Sequence, residues 1–485
     1  MKKISFSTFL IIITLCLLFS CEKEEVIDTK PVAAFKVNEQ TIVEGEPAIF
    51  TDLSFDQDGS ISMWNWDFGN GESSTEQSPV YVFPSIGEYS IKLTVTDNSG
   101  QTNVNKFSKA ISVLEPSTAT TNPIVLWSYS VPYKSNQSNI AVSNDGTVYF
   151  GTDGKSSDPT RGDYNIFAIK DGELVWGHLS DEVVRSSPSI AEDGTVYIGD
   201  YNGDFFAFNA DGSQKWQVRL KRFKYASPAI AADGTIYIGG GDKDTKIRAI
   251  NPIDGAEKWA FTAAGKVRST PAIDSKGVIY FSDYNTLYAL NSDGTEKWRN
   301  EYGDYTACAT VLIESAKTIY IADKTKHLFA FNMDDGTMKW NNTTAATDKI
   351  ELGGPAVAAD GTIYLGGEDK KMIAYNYENG SVKWEFEAKG KIKAVPAIDN
   401  DGNIYFGDGA GYFYVLNPKG ETKWKEYQLD GAISSSAVIG ADGVIYVLTS
   451  NADSKGTLYA LQTKATGLAD EGWPMRSKNA RHTGR

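Results

Sequence analysis

Nucleophilic, metal-binding and proton-transfer chemistry in this chain would have to draw on very few residues: the cysteines Cys16, Cys21 and Cys308 and the histidines His178, His327 and His482. A zinc site gathers Cys and His ligands at short, recognisable spacings. These histidines fall far apart, and neither a His-Glu-x-x-His nor a Cys-x-x-Cys spacing occurs. The Gly-x-Ser-x-Gly turn that exposes a hydrolytic serine and the Gly-rich Lys-Ser/Thr loop that cradles phosphate are missing from the sequence as well. Two stretches, Asp56-Gln57-Asp58-Gly59 and Asp399-Asn400-Asp401-Gly402, alternate acids as a calcium loop does. The first lacks the bidentate Glu at the twelfth position, and the second keeps the register of Asp-Gly turns that recur along the chain, so both are read as turns. The expectation is a protein that is not an enzyme, with no resident metal or cofactor.

Charge narrows the partners. With 62 acidic against 47 basic residues the chain carries a formal -15, the wrong sign for a protein that binds nucleic acid by neutralising phosphates. The start of the chain offers a membrane partner instead. Lys2 and Lys3 precede a mostly apolar run from Ile4 to Phe19, too short to span a bilayer but fitting a secretory signal at residues 1–20. Leu18-Phe19-Ser20-Cys21 resembles the lipobox of bacterial lipoproteins, which implies that Cys21 is acylated and anchors the mature chain. The acidic run Glu22-Lys23-Glu24-Glu25 is similar to a signal that sends some lipoproteins to the cell surface, so residues 21–30 are expected to be an acidic tether at the outer membrane.

Alternation with a period of two, as in Ala33, Phe35, Val37 and again in Tyr89, Ile91, Leu93, Val95, marks half-buried strands between residues 31 and 115. Trp64-Asn65-Trp66-Asp67-Phe68-Gly69, followed by Pro79-Val80-Tyr81-Val82-Phe83 and Gly87-Glu88-Tyr89, resembles the PKD domain. The resemblance implies an immunoglobulin-like β-sandwich acting as a spacer or weak binding module, joined by a linker at 116–122 to the remainder of the chain.

A repeat fills that remainder. Tyr149, Tyr197, Tyr237, Tyr280, Tyr320, Tyr364, Tyr405 and Tyr446 recur every 40 to 48 residues, and Trp127, Trp176, Trp216, Trp259, Trp298, Trp340, Trp384 and Trp424 keep the same step. One unit runs from Ser227-Pro228-Ala229-Ile230 through the turns Asp233-Gly234 and Asp254-Gly255 to a strand ending at Phe261, which is four short antiparallel strands. Eight units predict an all-β, eight-bladed β-propeller over residues 123–485. Leu126-Trp127-Ser128-Tyr129 matches only the last strand of a unit, so it should complete the C-terminal blade, and Trp473 to Gly484 should pack on the ring. The phrases Asp-Gly-Thr-Ile-Tyr-Ile-Gly and Lys-Trp resemble the PQQ-like (pyrroloquinoline quinone repeat) propeller family, which holds quinoprotein dehydrogenases and non-enzymatic BamB-type members. The vicinal cysteine pair typical of the dehydrogenases has no counterpart, because Cys308 stands alone in the repeat region.

One charged feature remains. The position three residues before the Pro that opens each blade is Gln137, Arg185, Tyr225, Arg268, Cys308, Leu352, Lys393 and Ser434, with Arg222, Lys224, Lys266 and Lys391 close by. In a propeller such loops ring one mouth of the channel. Arg185, Tyr225, Arg268, Lys393, Arg222 and Lys224 are therefore the candidate ligand-binding residues, with an anionic glycan or acidic peptide as the ligand. The leading expectation is a lipid-anchored scaffold for an envelope protein partner, and a surface glycan binder is the alternative.

Overall fold

The computed structural model describes residues 29–38, 40–43, 47–106, 111–114, 123–135, 138–154, 164–221, 227–241, 244–302, 309–323, 327–342, 354–424, 426–441, 443–463 and 465–485. Cys21 with its leader lies outside them, as do Arg222, Lys224, Tyr225 and Cys308. The regular elements are strands, and the chain divides into two compact units, Met1–Ala119 and Thr120–Arg485.

The first unit is a small sandwich. Ile61–Asp67 pairs with Lys92–Asp97 at the centre of a four-stranded sheet, and Phe35–Val37, Pro47–Asp52 and Val80–Val82 form a second. A third short sheet pairs Ile111–Leu114 with Thr41–Val43 in parallel and with Gly87–Tyr89 antiparallel. The alternating residues meet inside: Phe35, Phe50, Trp66, Phe68, Leu93 and Val95 share one core, with the Trp66 indole donating to the carbonyl of Glu76 at 2.9 Å. The Asp56–Asp58 stretch behaves as a turn. Asp58 accepts from Thr29, and Ser60 N–H donates to Asn98 Oδ1.

In the second unit the described residues form eight sheets. Seven of them, at 141–178, 189–219, 229–262, 272–301, 311–342, 356–387 and 397–428, each hold four strands in chain order (blades 1 to 7). The eighth joins Gly456–Gln462 and Ile445–Ser450 to the distant strand Ile124–Val131, so the start of the unit closes its last blade, as the repeat phase predicts. Burial follows position in the blade. The first three strands of blade 2 are wholly buried, while Gln214–Arg219 alternates, because only the outermost strand meets water.

The repeated aromatic residues explain the period. Seven of the eight repeat Tyr residues pack on the Trp of their own blade, with centroids 5.6–5.9 Å apart for Tyr149–Trp176, Tyr197–Trp216, Tyr237–Trp259, Tyr280–Trp298, Tyr320–Trp340, Tyr364–Trp384 and Tyr446–Trp127. That Trp then reaches the outer turn of the following blade, where Trp176 Nε1 donates to Ala210 O at 2.9 Å and Trp216 Nε1 to Pro252 O at 2.9 Å. The turn residue beneath the indole is glycine for two reasons. Gly212 has φ 86°, and a Cβ there would stand 2.6 Å from Trp176 Cγ. Across the closing seam Trp127 lies on Gly172 in the same way. Nearer the axis, a belt of side chains ties blade to blade, through Val395 N to Ser436 Oγ, Ser436 N to Asn139 Oδ1, Asn139 N to Ser187 Oγ and Ser187 N to Ser227 Oγ.

The C-terminal segment does not rest on the outside of the ring; it occupies the channel. An innermost strand pairs on one side only, so its other edge would leave buried N–H groups without acceptors, at about 1–3 kcal/mol each. The tail supplies them. Val142, Ile190, Ile230 and Ile273 of blades 1 to 4 donate to the carbonyls of Ala480, Arg481, Thr483 and Gly484, at 2.8 to 2.9 Å. Ile398 of blade 7 donates to Pro474 O, and Val357 of blade 6 exchanges both backbone bonds with Trp473. His482 sits fully buried in this plug with φ 56°, its Nδ1 3.2 Å from the carbonyl of Pro188 and its Nε2 enclosed without a partner.

Burial, with the Arg476 charge as a second cause, holds the His482 imidazole down at about 3. Its folded pKa lies below its unfolded value near 6.5, so the stability contributed by the neutral ring is complete above that pH and is lost as pH falls from 6.5 toward 3. His482→Asn keeps a donor for Pro188 and tolerates the left-handed backbone. It should flatten the decline in unfolding free energy between pH 6.5 and pH 5 by up to about 1.4 kcal/mol per pH unit. Urea melts of parent and variant across that range check this, and parallel curves would mean His482 is not the titrating group. A second expectation concerns closure: removing residues 123–130 should lower the melting midpoint of the ring more than removing residues 22–115, because it strips the outer strand from Gly456–Gln462 and exposes an edge. Calorimetry of the two truncations decides it.

Candidate functional site

The loops entering the innermost strands do carry the cations, but these cations are engaged. Arg185 makes a two-pronged pair with Asp153 of blade 1, at 2.9 and 3.3 Å. Lys391 and Lys393 share Glu368 of blade 6 at 2.6 and 3.9 Å. Arg268 and Lys266 both lie over the ring of Tyr284, 5.9 and 5.8 Å from its centroid. Each cation thus ties an entering loop to the loop between the second and third strands of its own or the preceding blade. Tyr225, Arg222 and Lys224, with ring positions Gln137, Cys308 and Leu352, lie outside the described residues, so Arg185, Arg268, Lys393 and Ser434 are what can be placed of the predicted rim.

A second set of mouth residues is absent from those singled out by sequence. The second strand of several blades ends in an aspartate, as in Ile-Gly-Asp200, Phe-Ser-Asp283, Ile-Ala-Asp323 and Phe-Gly-Asp408, and all four are buried. One carboxylate oxygen caps the turn's N–H groups; Asp408 Oδ1, for example, accepts from Ala410 and Tyr412. The other oxygen meets a partner from the third strand. Tyr288 OH reaches Asp283 Oδ2 at 2.9 Å, Tyr414 OH reaches Asp408 Oδ2 at 2.8 Å, and in blade 5, where Phe329 stands in that place, His327 Nδ1 lies 3.0 Å from Asp323 Oδ2. Gly265 N and Gly390 N add bonds from the entering loops. Blade 2 breaks the pattern: Phe206 has no hydroxyl, and Asp200 Oδ2 is enclosed without a partner. Burial, with the neighbouring charge of Asp204, raises the Asp200 carboxyl to about 6.

The opposite end of the ring is acidic. There the tail arches from Ala469, which donates to Ile398 O, through Asp470, Glu471 and Gly472 to Trp473 on blade 6. Beside the arch runs a groove of about 690 Å³ whose lining includes Leu312, Glu314, Asp360, Tyr377, Trp473 and Lys478. A neighbouring hollow of about 310 Å³ takes in Asp360, Asp401, Pro418, Asp470 and Glu471. Trp473 is buried, with its Nε1–H enclosed and without an acceptor, and Lys478 Nζ lies 5.7 Å from its ring centre. Asp399, the second calcium lookalike, is satisfied inside its own turn by Asp401 N, Asn403 N and Nδ2 and Tyr405 OH. Among the described residues no cluster of three or more His, Cys, Asp or Glu is arranged to hold a metal.

Sandwich, ring and repeated Tyr-Trp-Gly seams together define a PKD domain followed by a β-propeller of PQQ-like repeats. Residues 28–112 match the PKD domain model, and residues 124–259, 243–352 and 347–472 match the model described as outer membrane protein assembly factor BamB. The chain belongs to that family. The structure of BamB from Moraxella catarrhalis superposes with a TM-score of 0.54 at 17% identity, covering 70% of this chain and 100% of that one. A europium-containing methanol dehydrogenase superposes with a TM-score of 0.58 at 13% identity, covering 73% and 96%. At those identities the likeness is one of fold. Collagenase ColA of Clostridium perfringens is 31% identical over 223 residues, 40% of this chain and 19% of the collagenase. The pre-pro-metalloprotease PrtV of Vibrio cholerae is 41% identical over 76 residues, 16% of this chain and 8% of its own. The chain thus spans less than a fifth of the length of these curated relatives. A quinone on the axis does not fit the end that the tail occupies, since Met475, Ser477 and His482 of this chain are buried there.

The Asp200 site yields a prediction. A carboxyl raised in the folded state gives stability that is present at low pH and is lost as pH rises from about 4 through about 6. Phe206→Tyr would supply the missing phenol to Oδ2, as Tyr288 and Tyr414 do. It should add about 1–3 kcal/mol at pH 7.5 and less at pH 4.5, where Asp200 is protonated. Denaturant melts at the two pH values check it, and an equal effect at both would sever the gain from Asp200.

Proposed function

We propose that this protein is a lipid-anchored, non-enzymatic scaffold of the bacterial envelope whose propeller holds a protein partner at the ends of the ring. The observation that carries this reading is the filled channel: the axis is taken up by the chain's own tail, so the ring presents to others its loops and end surfaces, held rigid by the seams between blades. Kinship with an outer membrane assembly factor supports an envelope location. Cys21 would carry acyl chains in the outer membrane, the acidic residues after it would direct the chain to the cell surface, and the PKD domain would act as a spacer. A second reading, an anionic glycan held at the opposite mouth, draws on the Lys266, Tyr284 and Arg268 cluster.

The test uses the full chain in its own membrane. Cys21→Ser should move the protein from the membrane pellet to the soluble fraction without changing its melting midpoint, and cross-linking of the anchored parent should capture a defined partner. A Cys21→Ser protein that stays in the pellet refutes the anchor, and an anchored parent that cross-links to nothing refutes the scaffold.

A further inference from the structure

We propose that the acidic cleft beside the tail arch receives an extended, lysine- or arginine-bearing segment of the partner protein. This rests on the scaffold reading and specifies the partner's chemistry. Shape is the first argument. The two hollows share Ala358, Ala359, Asp360, Asp470 and Glu471, so they form one elongated cleft crossing blades 5 to 7, which suits an extended chain better than a compact ligand. The tail's backbone bonds go to the innermost strands of blades 1 to 4, 6 and 7, while Leu312 and Ile313 of the blade 5 strand line the cleft. A strand edge of that kind is what an incoming extended peptide pairs with.

Charge is the second argument. Glu314 is engaged with Ser275, and Asp360 has Lys383 at 3.8 Å. Asp401, Asp470 and Glu471 are exposed and have no cation within salt-bridge distance among the described residues, and Lys478, the one cation of the lining, lies over Trp473. A cationic segment would relieve this crowding of like charges and be steered to it. The basic side chains would meet Asp470, Glu471 and Asp401, and the apolar side chains between them would pack on Tyr377, whose ring is exposed in the lining, which a bare cation could not use.

The test measures binding of a short synthetic peptide alternating lysine and valine to the full chain by fluorescence anisotropy. Its glutamate counterpart and a neutral hexasaccharide serve as competing probes. Asp470 and Glu471 are exposed on the arch, so Asp470→Asn with Glu471→Gln leaves the core untouched. The basic peptide should bind the parent, lose about tenfold in affinity in the double variant, and weaken as salt rises from about 50 to about 300 mM. Asp211→Asn with Asp293→Asn, on exposed outer turns, should leave affinity unchanged. Equal affinity of parent and Asp470/Glu471 variant overturns the proposal, as does a parent that takes the hexasaccharide and not the basic peptide. Cross-linking in cells separates the two readings. A partner captured equally by parent and variant leaves the scaffold standing and removes the cleft, whereas a parent that captures nothing removes both.

Discussion

Everything in the ring depends on a tryptophan indole lying against a bare glycine turn of the next blade. Blades are separate sheets, so no backbone ladder joins one to the next, and cohesion at the outer seams comes from side chains. Burying an indole removes roughly 150–250 Å² from water. At about 25 cal/mol per Å² that is roughly 4–6 kcal/mol gross, against about 1 kcal/mol for the Nε1 hydrogen bond. Packing therefore holds the seam, and the hydrogen bond fixes its angle. The same glycine meets two independent demands, a left-handed turn and room for a ring, as at Gly212 beneath Trp176. The Tyr on the second strand backs the indole from its own blade, which is why Tyr and Trp keep one period through the sequence.

The seam between blades 7 and 8 cannot be built this way. Blade 8 takes its outer strand from Ile124–Val131, so it has no turn between third and fourth strands for Trp424 to cover. Around Trp424 the outer strand shrinks to Tyr427–Gln428, and the indole joins a cluster with Leu429, Ile433 and Val438. The local irregularity of this repeat reflects where the ring is cut.

Strand alternation, repeat phase, the PKD resemblance and the closing strand are all legible in the sequence, because each leaves a periodic mark that burial enforces. The Asp-Gly turns are legible too, since their chemistry is local. Pairing between distant loops leaves no such mark. Arg185, Arg268 and Lys393 look alike as mouth cations, yet Asp153, Tyr284 and Glu368 come from elsewhere in the chain and turn them into ties. The path of the tail is hidden because Trp473 to Gly484 breaks the period, and nothing in a non-repeating stretch announces that it satisfies six strand edges. The aspartates after the second strand do repeat, and their recurrence at a fixed place in the unit is a signal that periodicity alone could have found.

The plug has a consequence in time. Strand Ile124–Val131 emerges early but finds its partner, Gly456–Gln462, only when nearly all the chain is available, and the tail that satisfies the inner edges comes later still. Until then each finished blade carries an unpaired inner edge, and the first strand waits without a neighbour. Ordering such distant segments is slow, and a partly folded ring would present these edges to other copies first. The architecture that makes the completed ring self-sufficient thus makes the incomplete one adhesive.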